Sequence, residues 1–177
     1  MLTALTPFSG DDIIPLADAR VQLNLTADDT FHDAKVRDAR DAAIGWAEGY
    51  TGRSLQQREW LWEIDQFCRV LTAPVGPVDS ATVEYYDSDG VDTTIDPAEF
   101  YVGNNRLVAA INSSWPYADG RPGGVRITLT AGYATAEEIP TYLMAAVKLA
   151  MTAMFEDRSN PDLSAAERAA DQFRPIL

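Results

Sequence analysis

Apolar positions change their period twice along the chain, from helical to alternating and back. Small or apolar residues at Ala39, Ala42, Ala43, Trp46, Ala47 and Tyr50 follow the i, i+3, i+4, i+7 spacing that lines one face of a helix. Gly52 then stands where a left-handed cap ends such a helix. Past Leu55 the pattern becomes extended, with Trp60 and Trp62 on one side of a strand and Leu61 on the other. The pattern predicts helices over about 15–23, 30–51, 140–157 and 165–173. Pro15 and Pro140 suit first helical turns, Thr26 with Asp29 offers a cap for the long helix, and Ser164 with Glu167 has capping-box spacing for the last. Arg174 and Pro175 stop that helix and leave an apolar tip at Ile176 and Leu177.

Between residues 56 and 133 short runs rich in Val, Ile, Thr, Tyr and Trp are punctuated by Gly, Pro, Asn and Asp. Strands are expected near 57–64, 69–71, 81–86, 91–95, 100–102, 107–109 and 125–131, with a hairpin turn at Asp87, Ser88, Asp89 and Gly90. The fold class is therefore α+β. Residues 1–55 and 134–177 form a helical core from both chain ends, and 56–133 form an inserted small antiparallel β-subdomain.

The helix over 140–157 is apolar nearly all round, with a narrow polar stripe at Thr141, Lys148 and Thr152. It must be covered on most sides, either by its own core or in part by a neighbouring subunit. Lys148, Met151 and Phe155 on this helix, with Trp115 in a loop before Pro116, are the candidates for a subunit interface.

Composition narrows the function. Acidic residues number 27 against 14 basic ones, a net charge of −13, and lysine occurs only at Lys35 and Lys148. Binding of a DNA backbone by counterion release needs clustered Lys and Arg, so this charge excludes it. Such a charge suits either a well-solvated surface or an acidic wall that DNA passes without sticking. The lone Cys68 excludes an intrachain disulfide and a multi-cysteine metal site, and it is expected to pack as a small apolar residue near the first hairpin. The opening residues lack a charged and then apolar leader pattern, and Lys148 and Thr152 break the longest apolar run. The expectation is a protein made in the cytoplasm, without a membrane span.

Catalytic chemistry has few residues to use. His32, the single histidine, sits near the start of the long helix and reads as a solvated polar residue. Asp87, Asp89 and Asp92 around Gly90 lack the later bidentate Glu of a calcium loop and read as a turn. The glycines at 103 and 120–124 lack the context of a phosphate loop. Trp46, Trp60 and Trp62 are accounted for by burial against the helix, and Trp115 by plugging the sheet. No cofactor or metal is expected. A small carbohydrate-binding or acid–base enzyme domain would require a deep pocket enclosing two close carboxylates.

Seven segments recur in a familiar order: PLADARVQLNL (15–25), EGYTGRSL (48–55), LTAPVGPV (71–78), VEYYDSDG (83–90), SWP (114–116), VRITLTAGY (125–133) and IPTYLMAAVKLAMTAMFEDRS (139–159). In this ordered set the chain resembles the HK97 gp6-like and phiE125 gp8-like head-to-tail connector proteins of tailed bacteriophages and gene transfer agents. The resemblance implies an adaptor without enzymatic activity, located in the neck of a virion. It would form a homo-oligomeric ring, usually twelvefold, beneath the portal protein and receive a stopper or tail-terminator protein, with packaged DNA passing through. A stopper or tail-completion protein is the neighbouring alternative. It also implies portal contact by the C-terminal segment, Phe173, Arg174, Pro175, Ile176 and Leu177. Many relatives close on Pro-Tyr-Arg, whereas this chain closes on Arg-Pro-Ile-Leu.

Overall fold

Alternation of apolar and polar residues along one strand organises the sheet-rich part. The structure, a computed structural model, describes residues 1–26, 30–111 and 113–174. The chain divides into two units, Met1–Pro7 with Gln57–Gly132 and Phe8–Gln56 with Tyr133–Leu177.

The first unit is built from β1 (Leu2–Ala4), β2 (Arg58–Ile64), β3 (Val70–Thr72), β4 (Val78–Tyr86), β5 (Asp92–Thr94), β6 (Phe100–Gly103), β7 (Arg106–Ala109) and β8 (Val125–Ala131). They form a five-stranded sheet, ordered β1-β2-β8-β4-β5, and a three-stranded sheet, ordered β3-β7-β6. All pairings are antiparallel. On central β8, Val125, Ile127, Leu129 and Ala131 are buried while Arg126, Thr128 and Thr130 face outward. The register continues the inward rows as Trp60–Leu129–Ala81 and Trp62–Ile127–Val83. Leu71, Phe100 and Leu107 of the smaller sheet share that apolar cluster, so the two sheets enclose one core. The β6–β7 hairpin turns at Asn104 and Asn105, both left-handed at φ 51° and 59°, the pair of conformations a two-residue type I′ turn requires.

The second unit contains α1 (Gly10–Ile13), α2 (Leu16–Gln22), α3 (Asp33–Thr51), α4 (Thr141–Glu156) and α5 (Ser164–Ala170), followed by a tighter 3-10 turn, Asp171–Phe173. The alanines of α3 at 39, 43 and 47, with Val36 and Ile44, pack in one cluster with Leu143, Val147, Ala150 and Met151 of α4. Small side chains on one partner let two helices approach closely. A buried guanidinium fastens the first helix to this core. Arg40, only 3% exposed, donates to Ile14 O at 3.1 Å and Asp11 Oδ1 at 2.5 Å, and its Nε donates to Asp41 Oδ1 at 2.9 Å. A β-carbon at Gly10 would collide with that guanidinium, so only glycine leaves room for it.

Several sequence expectations are corrected. Leu2–Ala4, read as part of the helical end, is a strand paired to β2. The expected antiparallel β-subdomain is present and contains two sheets. The long helix starts at Asp33 rather than 30; His32 holds its cap position, and Asp29 of the expected capping pair lies outside the described residues. Arg20 of α2 grips the Asp33 carboxylate with two hydrogen bonds of 2.8 Å, which ties α2 to the first turn of α3. Ser164 is not a cap but the first residue of α5. Its N–H donates to Asp162 Oδ1 at 3.0 Å, the main cause of an Asp162 carboxyl held below its ordinary value. Trp60 and Trp62 pack against the β core rather than a helix. Cys68 is exposed, because its neighbour Phe67 takes the inward place and stacks on Trp115.

Two stability predictions follow from the Arg40 anchor. Arg40→Ala leaves a cavity and an unpaired Ile14 carbonyl, and chemical denaturation is expected to show a loss of about 2–4 kcal/mol. Asp11 sits on the exposed side of the same pair, and the Arg40 hydrogen bond holds its carboxyl below the ordinary 3.8. A lowered folded-state pKa stabilises above the unfolded value and is lost as the pH falls through the folded one. Asp11→Asn is therefore expected to be slightly less stable than the parent at neutral pH. The difference should vanish in denaturation curves taken progressively below the ordinary carboxylate range.

Candidate assembly surfaces

The turn that ends α3 gathers three distant segments of the helical unit. Gly52, left-handed at φ 63°, closes the helix, and its N–H donates to Glu48 O at 2.9 Å. The Glu48 carboxylate accepts the Leu55 N–H at 2.8 Å, and Ser54, fully buried, donates to Gln56 O at 2.7 Å. Gln56 then accepts the Ser9 N–H at 2.7 Å and donates to Asp12 at 2.8 Å. Arg53 donates to Tyr133 Oη at 3.2 Å and lies over the Phe173 ring, 5.4 Å from its centroid. Glu48, Arg53 and Ser54 of the EGYTGRSL segment thus each have a structural task at this corner.

The same corner holds the described part of the proposed portal-contacting segment. Phe173 is half-buried against the helical core, and exposed Arg174 lies 5.0 Å from the centroid of the Tyr50 ring. Tyr50 donates to Asp171 at 2.6 Å, and that bond raises the phenol's pKa. Pro175, Ile176 and Leu177 lie outside the described residues.

The interface candidates differ in how much surface each leaves open. Met151 is fully buried in its own core, so it has no surface to offer a neighbour. Phe155 is half-buried with Lys35 4.1 Å above its ring. Lys148 lies in a concavity with Glu137, Ile139 and Met144. Trp115 is half-buried between Phe67, stacked at 5.1 Å, and Phe100 at 6.0 Å, the plug over the core that its loop position suggests. Helix α4 buries Leu143, Ala146, Val147, Ala150 and Met151, yet exposes Tyr142 and Leu149.

The two outward sheet faces contrast. On the five-stranded sheet the outward rows are Glu59–Thr130–Ser80, Leu61–Thr128–Thr82 and Glu63–Arg126–Glu84. Arg126 donates to Asp92 at 2.6 and 2.8 Å and to Tyr86 Oη at 3.0 Å; these bonds, Asp92's first, hold its proton more firmly. On the three-stranded sheet the central outward row is Val70–Val108–Tyr101, apolar across every strand. All three side chains are exposed, as is nearby Ile111. This surface was missed in the sequence, where its signal is the unbroken apolar run Leu107-Val108-Ala109, too hydrophobic for a strand with one wet face.

Three concavities of the helical unit are each lined by a single carboxylate, Asp38, Glu137 or Asp12, so none has the carboxylate pair that a glycosidase-like site uses. Among the described residues, no group of three or more His, Cys, Asp or Glu could hold a metal ion. No helix among them is long and apolar enough to cross a membrane.

Neither protein-family models nor curated proteins match the chain. Solved structures do. A chain in the neck of an empty gene transfer agent particle, computed with sixfold symmetry, is 25% identical with a TM-score of 0.81, covering 100% of this chain and 96% of that one. A chain in the virion of a native gene transfer agent particle matches at 24% identity and TM-score 0.80, again over 100% and 96% of the two chains. A third, from the neck of a native particle computed with twelvefold symmetry, matches at 24% and 0.79 with the same coverage. Along its whole length, this chain has the fold of a gene transfer agent neck protein.

Proposed function

We propose that this chain is a structural subunit of the neck of a phage-like particle, a head-to-tail connector of the HK97 gp6-like kind. Its copies form a ring beneath the portal protein and receive the stopper or tail. The observation that carries this reading is the likeness to a neck chain over 100% of this chain at a TM-score of 0.81. Partial likeness could reflect a shared sheet or bundle alone; likeness over both units supports a shared role. Sixfold and twelvefold symmetry in the matched particles supports a closed ring. The net charge of −13 fits a channel that DNA must traverse without adhering, since like charges repel along the lumen.

Two experiments test the proposal. With a stop codon early in the reading frame, electron microscopy of lysates is expected to show DNA-filled heads beside unattached tails. Normally joined particles would overturn the connector role. The second concerns the portal contact. Phe173 is already tied to its own unit, so the test targets the last three residues of the segment, Pro175, Ile176 and Leu177. Deleting 175–177 is expected to leave the melting temperature within about 2 °C of the parent while abolishing capture by immobilised portal. Unchanged capture would remove the portal role of this segment.

A further inference from the structure

We infer that the outward face of the three-stranded sheet is the surface on which a second copy of this chain docks, head to tail. This rests on the neck reading, and it adds which side of the subunit meets the next.

The five-stranded sheet of the same unit serves as an internal control. Its outward rows are Thr, Ser, Glu and a fully paired Arg126, with Leu61 the one aliphatic residue among them, set beside Thr128 and Thr82. The smaller sheet instead presents the Val70–Val108–Tyr101 row, with Val70 41%, Val108 37% and Tyr101 58% exposed. An apolar row crossing every strand of a sheet is expected to be covered.

Charge selects the occupant. Within the β unit Arg58 lies over Trp60, Arg121 pairs with Asp119, and Arg126 pairs with Asp92. Arg69 and Arg106 are both exposed and, among the described residues, neither has an acidic partner. Arg106 projects from β7 on the same side as Val108, and Arg69 immediately precedes the edge strand β3. The face therefore joins an apolar row to Arg106, with Arg69 next to its edge strand, on a chain that is otherwise strongly acidic, with 27 acidic residues against 14 basic. Its complement is an acidic surface, and a second copy supplies one. Two such faces set against each other would oppose their arginines, so the contact is between unlike faces. That is the head-to-tail geometry a closed ring needs.

The test places the photo-crosslinking residue p-benzoylphenylalanine at position 101, in place of exposed Tyr101, and irradiates purified particles. A crosslinked dimer of this chain is the expected result. If the chain is present in the neck but crosslinks only to a different protein, or to none, the docking surface is overturned and the neck reading stands. If the chain is absent from the particles, both fall. A companion variant combines Val108→Asp with Arg106→Glu. It is expected to keep the parent's circular dichroism spectrum and melting temperature while its incorporation into particles drops at least about tenfold, a difference of some 1.4 kcal/mol. Incorporation at the parental level by this folded variant would also overturn the inference.

Discussion

The helical unit depends on the way α3 ends. A helix leaves its last carbonyls without partners, and the chain here must stop a 19-residue helix within one turn and leave in a new direction. Gly52 supplies the left-handed step, and the Glu48 carboxylate reaches past it to the Leu55 N–H. Once those bonds form, Leu55 is directed into the core and Ser54 is sealed from solvent. Arg53 and Gln56 then project to the returning chain at Tyr133, the terminal turn at Phe173 and the first helix at Ser9 and Asp12. Segments far apart in sequence are thus pinned by one short corner. Closing such long loops costs entropy, and several satisfied polar contacts at one point help to offset it.

The β unit is governed by a different constraint. Two sheets that share a core must each turn one face inward, and strict alternation then assigns every other residue to the outside. On the larger sheet the outward rows are polar apart from Leu61. On the smaller sheet the residues assigned outward include Val70, Tyr101 and Val108. The core alone gives no reason for hydrophobic residues there. The fold of one subunit leaves a large part of each side chain uncovered, and an assembly accounts for that uncovered part better than stability does.

Much of this was legible in the chain. The periodicity of 39–50 located α3, Gly52 marked its end, and Asp87 to Gly90 form the expected turn, with Gly90 at φ 75° and the Asp87 carboxylate accepting the N–H groups of Asp89 and Val91. Those features are local, and local conformational preference acts within a few residues. Leu2–Ala4 escaped because a strand of three residues has no periodicity of its own; its place comes from pairing with Trp60 to Trp62, almost sixty positions away. Arg40 escaped for a similar reason. Only the folded chain brings Asp11 and the Ile14 carbonyl to the guanidinium, so nothing in its own neighbourhood marks it as buried.

The assembly residues divide the same way. Charge, the α+β order of elements and the scarcity of catalytic side chains were properties of the sequence by itself, since none requires knowing what touches what. Which apolar residues remain uncovered was decided by tertiary structure alone. Met151 and Val108 are both apolar residues within apolar runs, yet one is sealed in the helical core and the other faces solvent. Burial depends on which element packs over a given face, and that pairing is set by contacts between residues distant along the chain.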